Sequence, residues 1–144
     1  MAITSLTKML ITRRTTDREL IPLDSPTTAV GANSTTIATG ISIGFTFRFD
    51  GVNYTTCALS PRGFLRFAGT VTSGTNNLSS SDSNVLLAPW WDAIETAVTV
   101  GYIKYETMGT APWRIFVAEW YCNLSDTYDG TNYVRAKFQV VLYE

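Results

Sequence analysis

Histidine is missing from all 144 residues. That removes the commonest general base, the usual proton shuttle and the commonest zinc ligand at once, and with them any Ser-His-Asp arrangement. The two cysteines, Cys57 and Cys122, are too few for a disulfide scaffold and too far apart for a metal knuckle. Paired, they would close a long loop worth about 4 kcal/mol in the chain-entropy model; unpaired, they would be two small buried hydrophobes. Spacing leaves both options open. Charge is scarce as well: 16% of residues, 11 basic against 12 acidic, for a net of −1. A duplex-binding surface needs a basic excess or stripe, so no nucleic-acid partner is expected. No run approaches the ~20 apolar residues of a membrane-spanning helix. The first eleven residues, interrupted by Thr4, Ser5, Thr7 and Lys8, lack the basic region and small-residue cleavage site of a signal peptide. The expectation is therefore a chain made in a host cytoplasm without a signal peptide, and no membrane partner.

What is present is alternation. Ile41, Ile43, Phe45, Phe47 and Phe49 fall two apart, with Ser42, Gly44, Thr46 and Arg48 between them. Successive side chains of a strand point to opposite faces, so this pattern places three phenylalanines on one wall and polar groups on the other. Asp50-Gly51 supplies the positive φ angles of a two-residue hairpin, and Val52 to Leu59 answers as the return strand. Ser60-Pro61-Arg62-Gly63 reads as a turn, with proline second and glycine fourth. Phe64 to Phe67 is a third strand. Residues 69–84, GTVTSGTNNLSSSDSN, form a polar loop. Val85 to Ala88 leads into Pro89-Trp90-Trp91-Asp92. Val100 to Thr107 and Trp113 to Cys122 make a second hairpin around residues 108–112, with both faces of its second arm covered. After another polar loop over 123–132, Tyr133 to Glu144 is the last strand, setting Val134, Ala136, Phe138, Val140 and Leu142 against Arg135, Lys137 and Gln139. Short strands divided by Gly, Asn and Pro turns predict an all-β fold, an antiparallel β-sandwich or jelly roll, over residues 39–144.

Residues 1–38 read differently. They are rich in Thr and Ser, carry Pro22 and Pro26, and hold nearly balanced charge. Ile3, Leu6 and Leu10 suit one or two helical turns; the rest predicts an extended N-terminal arm, because prolines and β-branched residues oppose helix. Leu10, Ile11, Leu20, Ile21 and Leu23 are apolar for a pure linker, which marks them as candidate partner-binding residues. A solvated tail is the alternative.

Chemistry finds little purchase. Asp92 and Glu95 beside Trp90 and Trp91 have the carboxylate-and-aromatic look of a sugar-cleaving site, but their neighbours offer no further polar partner. Two core tryptophans, each burying on the order of 150–250 Å², with Asp92 capping the turn, explain the residues better. Asp126, Asp129, Gly130 and Asn132 form an oxygen-rich loop without the alternate spacing and bidentate Glu of a calcium loop, so turn chemistry is expected there. No catalytic residue, metal or cofactor is expected. Asn33, Asn53, Asn77 and Asn123 begin Asn-x-Ser/Thr triplets, which need secretion to matter. Tyr102, Tyr105, Trp120, Tyr121, Tyr128, Tyr133 and Tyr143 exceed what a core needs, and surplus aromatics on sheet faces can anchor a protein or stack on sugar.

The order of blocks resembles a known module. Gly44-Phe45-Thr46-Phe47, Tyr54-Thr55 and the turn to Gly63 are followed by Ala88-Pro89-Trp90-Trp91-Asp92, by the Gly109 to Pro112 turn, by Glu119-Trp120 and by AKFQVVLYE. This series, over about residues 41–144, resembles a β-sandwich module of bacterial surface proteins and of some phage structural proteins. It is also distantly similar to the nidogen-type extracellular β module. Pro61 and Arg62 stand where that module has Ser and Asn. The resemblance implies a fold and an interaction role. Combined with the missing export signal, it leads to the expectation of a non-enzymatic phage virion structural protein. That would be a capsid decoration or cement protein, or a fibre-base component, anchored to other virion proteins by its arm and forming homo-oligomers such as trimers. The competing expectation is a carbohydrate- or surface-binding module of a bacterial adhesin.

Overall fold

The computed structural model describes residues 19–69, 85–91, 94–95, 101–124 and 134–144, with the backbone alone described at 94–95 and 124. Among these residues the strands are β1 (Thr27–Val30), β2 (Ala38–Phe49), β3 (Val52–Ser60), β4 (Phe64–Ala68), β5 (Val85–Leu87), β6 (Ile94–Glu95), β7 (Tyr102–Met108), β8 (Ile115–Leu124) and β9 (Arg135–Tyr143). They form two antiparallel sheets. The smaller runs β2-β3-β4-β5; the larger runs β1-β7-β8, with β9 on the far side of β8 and β6 pairing its last residues. The fold is an all-β sandwich.

The alternation of β2 does what its spacing requires. Ile41, Ile43, Phe45 and Phe47 are buried and the residues between them are exposed. They meet Ile103, Phe116, Ala118, Trp120, Val140 and Leu142 of the larger sheet in one core, with Cys57, Leu59 and Leu65 beside them. Phe67 closes one end of this core, its ring 5.3 Å from both Phe47 and Phe49 and 5.1 Å from Tyr54. Asp50 and Gly51 both take positive φ, 47° and 79°, and Phe49 pairs with Val52 across them. The Ser60–Gly63 turn forms as expected, with Gly63 N–H donating to Ser60 O at 3.1 Å and Gly63 at φ 79°.

Between Ser42 and Phe47 the register of β2 against β3 shifts, and Gly44 sits there with φ +84°. This bulge lets the strand reach the opposite sheet. Thr107 Oγ1 donates to Ile43 O at 2.9 Å and an Arg114 guanidinium N–H to Gly44 O at 2.6 Å. A Cβ on residue 44 would lie 2.8 Å from Thr107 Cγ2, so only glycine fits.

Two strands were not legible in the sequence. One is the short β6. The other is β1, which lies inside the segment expected as an arm and pairs with the edge of β7: Thr27 opposite Tyr105, Thr28 opposite Lys104, Val30 opposite Ile103. The second hairpin starts later than its alternation suggests. Trp113 is not a covered strand residue; it is 82% exposed in the turn before Ile115. Thr110 O accepts from Trp113 N–H at 2.8 Å across a cis Ala111–Pro112 bond, the geometry of a type VI turn.

Candidate interaction surface

The expected arm residues divide. Leu10 and Ile11 lie outside the described residues. Leu20, Ile21 and Leu23 are half-buried, and the chain around them lies on its own sheet. Ile21 N–H donates to Gln139 Oε1 at 2.9 Å, while Gln139 Nε2 donates to Ile21 O at 2.9 Å. Four residues on, Ser25 N–H reaches the Glu106 carboxylate, 3.1 Å from each oxygen. Gln139 is on β9 and Glu106 on β7. Register across the sheet sets Lys104, Glu119 and Gln139 in one row and Glu106, Val117 and Val141 in the next. Residues 21–25 therefore cross β8 near Glu119 and Val117 on the face turned away from the core. Val117, on that outer face beneath the crossing, is wholly buried. The segment then turns over the edge of β7 and becomes β1.

A polar network supports this strap. Glu119 is buried, yet its carboxylate is fully engaged. Tyr102 OH donates to Oε1 at 3.0 Å, Lys137 Nζ lies 3.1 Å from the same oxygen, and Gln139 Nε2 donates to Oε2 at 2.8 Å. By accepting from Nε2, the Glu119 carboxylate fixes which way the Gln139 amide faces, and that orientation presents one acceptor and one donor to Ile21. Burial and the hydrogen bond to Glu119 raise the Tyr102 pKa. For Lys137 partial burial pulls the pKa down, and the hydrogen bond and charge of Glu119 outweigh it, leaving a net rise. Arg135, Lys137 and Gln139 read in sequence as a plain wet face; the buried Glu119 opposite Gln139 was the missing clue.

The aromatics sort clearly. Trp120 belongs to the core, not to the surface set. It is wholly buried, stacked on Phe138 at 5.3 Å and 6°, with Nε1 donating to Ser60 O at 2.8 Å. Trp90 stacks on Phe138 at 6.1 Å, whereas Trp91 packs on Phe64 at 5.2 Å. Of the two tryptophans expected in the core only Trp91 is buried; Trp90 is 40% exposed. Tyr105 packs beside Phe116 at the core margin. Tyr102 and Tyr121 pair at 5.5 Å on the outer face. Tyr143, half exposed, remains, together with Trp113 and Trp90. Tyr128, Tyr133, Asp92, Asp126, Asp129, Gly130 and Asn132 lie outside the described residues, as does the side chain of Glu95, whose backbone pairs with Asn123.

Trp113 is the aromatic that sequence reading misplaced. Its mount is rigid. Arg114 beside it forms an ion pair with Glu144 through Nε, 2.7 Å from Oε2, and through a second guanidinium N–H to Oε1. Its charge also sits 5.7 Å from the Phe45 ring. Hydrogen bonding from Arg114 holds the Glu144 carboxyl below its ordinary pKa. Glu144 N–H donates in turn to Arg114 O at 3.0 Å. The indole therefore projects from a hairpin pinned to the end of β9.

Cys57 and Cys122 are both buried free thiols, so the bridge does not form. Burial pushes the Cys57 thiol up to about 12 and that of Cys122 up to about 11. Of the Asn-x-Ser/Thr triplets, that at Asn123 is closed to modification, since its side chain is 6% exposed on β8.

A family model described as NIDO related matches residues 12–144. The chain belongs to this family. The match starts before the strap, in keeping with a NIDO-related unit that includes residues 19–30 as well as the sandwich. No curated protein and no solved structure matches the chain.

Proposed function

We propose that this NIDO-related chain is a non-enzymatic structural protein of a phage particle, a decoration, cement or fibre-base component that works by binding its neighbours. One observation carries the reading: Trp113 stands 82% exposed on a hairpin braced by Arg114 and Glu144. Exposed aromatic anchors are the side chains that dominate protein interfaces, because they bury a large area with few rotatable bonds. The low charge of the chain and the strap locked over its outer face support a role in cohesion. Purified chain should co-sediment with particles that lack it, and Trp113→Ala should weaken that binding roughly tenfold or more. Equal binding by both proteins would remove the support from Trp113.

A second reading is a carbohydrate- or surface-binding module of a bacterial adhesin, favoured by the same indole, since an exposed aromatic face stacks on sugar rings. Binding to a glycan array, lost in Trp113→Ala while particles are ignored, would select it.

A further inference from the structure

We infer that the part of the larger sheet's outer face beyond the strap is a binding site for an acidic saccharide, one whose sugar rings carry carboxylates. The site is built on a tyrosine pair. Tyr102 and Tyr121 are Cα partners across β7 and β8, with rings 5.5 Å apart. A cation is held over each ring: Lys104 Nζ lies 4.5 Å from the Tyr102 centroid, and the Arg135 guanidinium 6.0 Å from that of Tyr121. Register puts Lys104 in the row towards the strap and Arg135 in the row away from it, so the two charges flank the phenols on opposite sides. The described carboxylates of this face are engaged elsewhere. Glu119 takes Tyr102, Lys137 and Gln139, and Glu106 takes the Ser25 amide. Among the described residues the ion pairs are Arg114–Glu144 and Lys137–Glu119, which leaves Lys104 and Arg135 without a carboxylate.

The chemistry of the patch selects its ligand. Two cations without a carboxylate call for an anion. Phenol rings suit the C–H face of a pyranose. The Tyr121 oxygen, which accepts from Arg135 Nη1 at 3.2 Å, keeps its own proton for a sugar oxygen. A sugar acid answers all three features at once. An acidic peptide would use a sheet edge as well as a face, and β1 already fills the edge of β7 here. A nucleic acid, with its dense phosphates, needs a longer basic stripe than two cations on a chain of net charge −1. The patch lies at the opposite end of the β7–β8 pair from Trp113. It is therefore a second site, and it rests neither on that indole nor on the particle assignment.

Oligogalacturonate is the probe, titrated into the full-length protein while the tyrosine and tryptophan ring signals are followed by NMR. The Tyr102 and Tyr121 signals are expected to shift and saturate, those of Trp113 to stay in place, and the affinity to fall as salt rises. Lys104→Gln and Arg135→Gln should each weaken binding roughly threefold or more, whereas Trp113→Ala should bind as the unmodified chain does. No saturable shift at the two tyrosines would overturn the inference. So would equal binding of the methyl-esterified oligomer, which keeps the rings and lacks the charge. Equal binding of polyglutamate or of oligothymidylate, which are charged but hold no sugar acid, would overturn it as well. The shifts are read on the unmodified protein, so a variant that fails to fold leaves the test intact. Particle binding is a separate measurement, and the two readings fail separately.

Discussion

The indole Nε1 of Trp120 on β8 donates to the carbonyl oxygen of Ser60 at the end of β3, 2.8 Å away and wholly buried, and so ties one sheet to the other. The same carbonyl accepts from Gly63 N–H and closes the turn into β4. One oxygen thus fixes both a turn and the spacing of two layers.

Trp120→Phe removes that bond and leaves a void beside Phe138. The expected loss is about 2–3 kcal/mol, or roughly 4–12 °C in Tm at 2–4 °C per kcal/mol for a domain of this size. Thermal unfolding followed by circular dichroism checks it; a shift under one degree would mean the bond does not couple the sheets.

Gly44→Ala should cost roughly 1–3 kcal/mol, because a side chain is strained at φ +84° and its Cβ meets Thr107 Cγ2. Thr107→Ser keeps the hydroxyl bond to Ile43 O while removing that methyl. In the Gly44→Ala background it should recover part of the loss. Denaturant unfolding of the two single variants and the double gives the coupling, and strict additivity would show that the methyl is not the obstacle.

The buried thiols make stability fall in alkali. Their folded pKa values, about 12 for Cys57 and about 11 for Cys122, lie above the ordinary value of 9.0. Folded protein then holds protons that unfolded chain releases. The contribution is complete below about pH 9 and is lost as pH rises towards 11–12. Cys57→Ala should flatten the decline between pH 9 and 11. A thiol reagent at pH 8 should label neither cysteine in the native protein and both after unfolding; fast native labelling would contradict their burial.

Removing the clamp should free the strap. In Gln139→Ala the Ile21 amide loses its acceptor, and its hydrogen exchange should quicken at least tenfold while the core amides of β8 keep their rates. Glu119→Gln should produce a smaller change in the same direction, because a neutral amide orients Gln139 less firmly. Unchanged exchange at Ile21 in both variants would show that the strap is held by other contacts.

The sandwich was legible because its signals are local. The period-two run from Ile41 to Phe49, the Asp50-Gly51 hairpin and the Ser60 to Gly63 turn each follow from a few adjacent residues. Strand ends were less exact: Trp113 alternates with Ile115 and Val117 as a strand residue would, but the Thr110–Trp113 turn holds it outside. β1 was hidden because Thr27–Val30 has two partners' worth of information only in three dimensions, its pairing lying 73 or more residues away in β7. The Glu119–Gln139–Ile21 clamp was hidden for the same reason. A glutamate among apolar residues on a central strand announces a buried partner, and nothing in the sequence names that partner. The bulge at Gly44 looked like an ordinary polar position until Thr107 appeared opposite it.

Quantitative mass spectrometry of phage particles purified from the organism that encodes this chain tests the proposed role most directly. The expected result is the chain at a fixed ratio to the major capsid protein, retained through gradient purification. Its absence from washed particles, with the protein recovered instead on bacterial surfaces, would contradict a place in the virion.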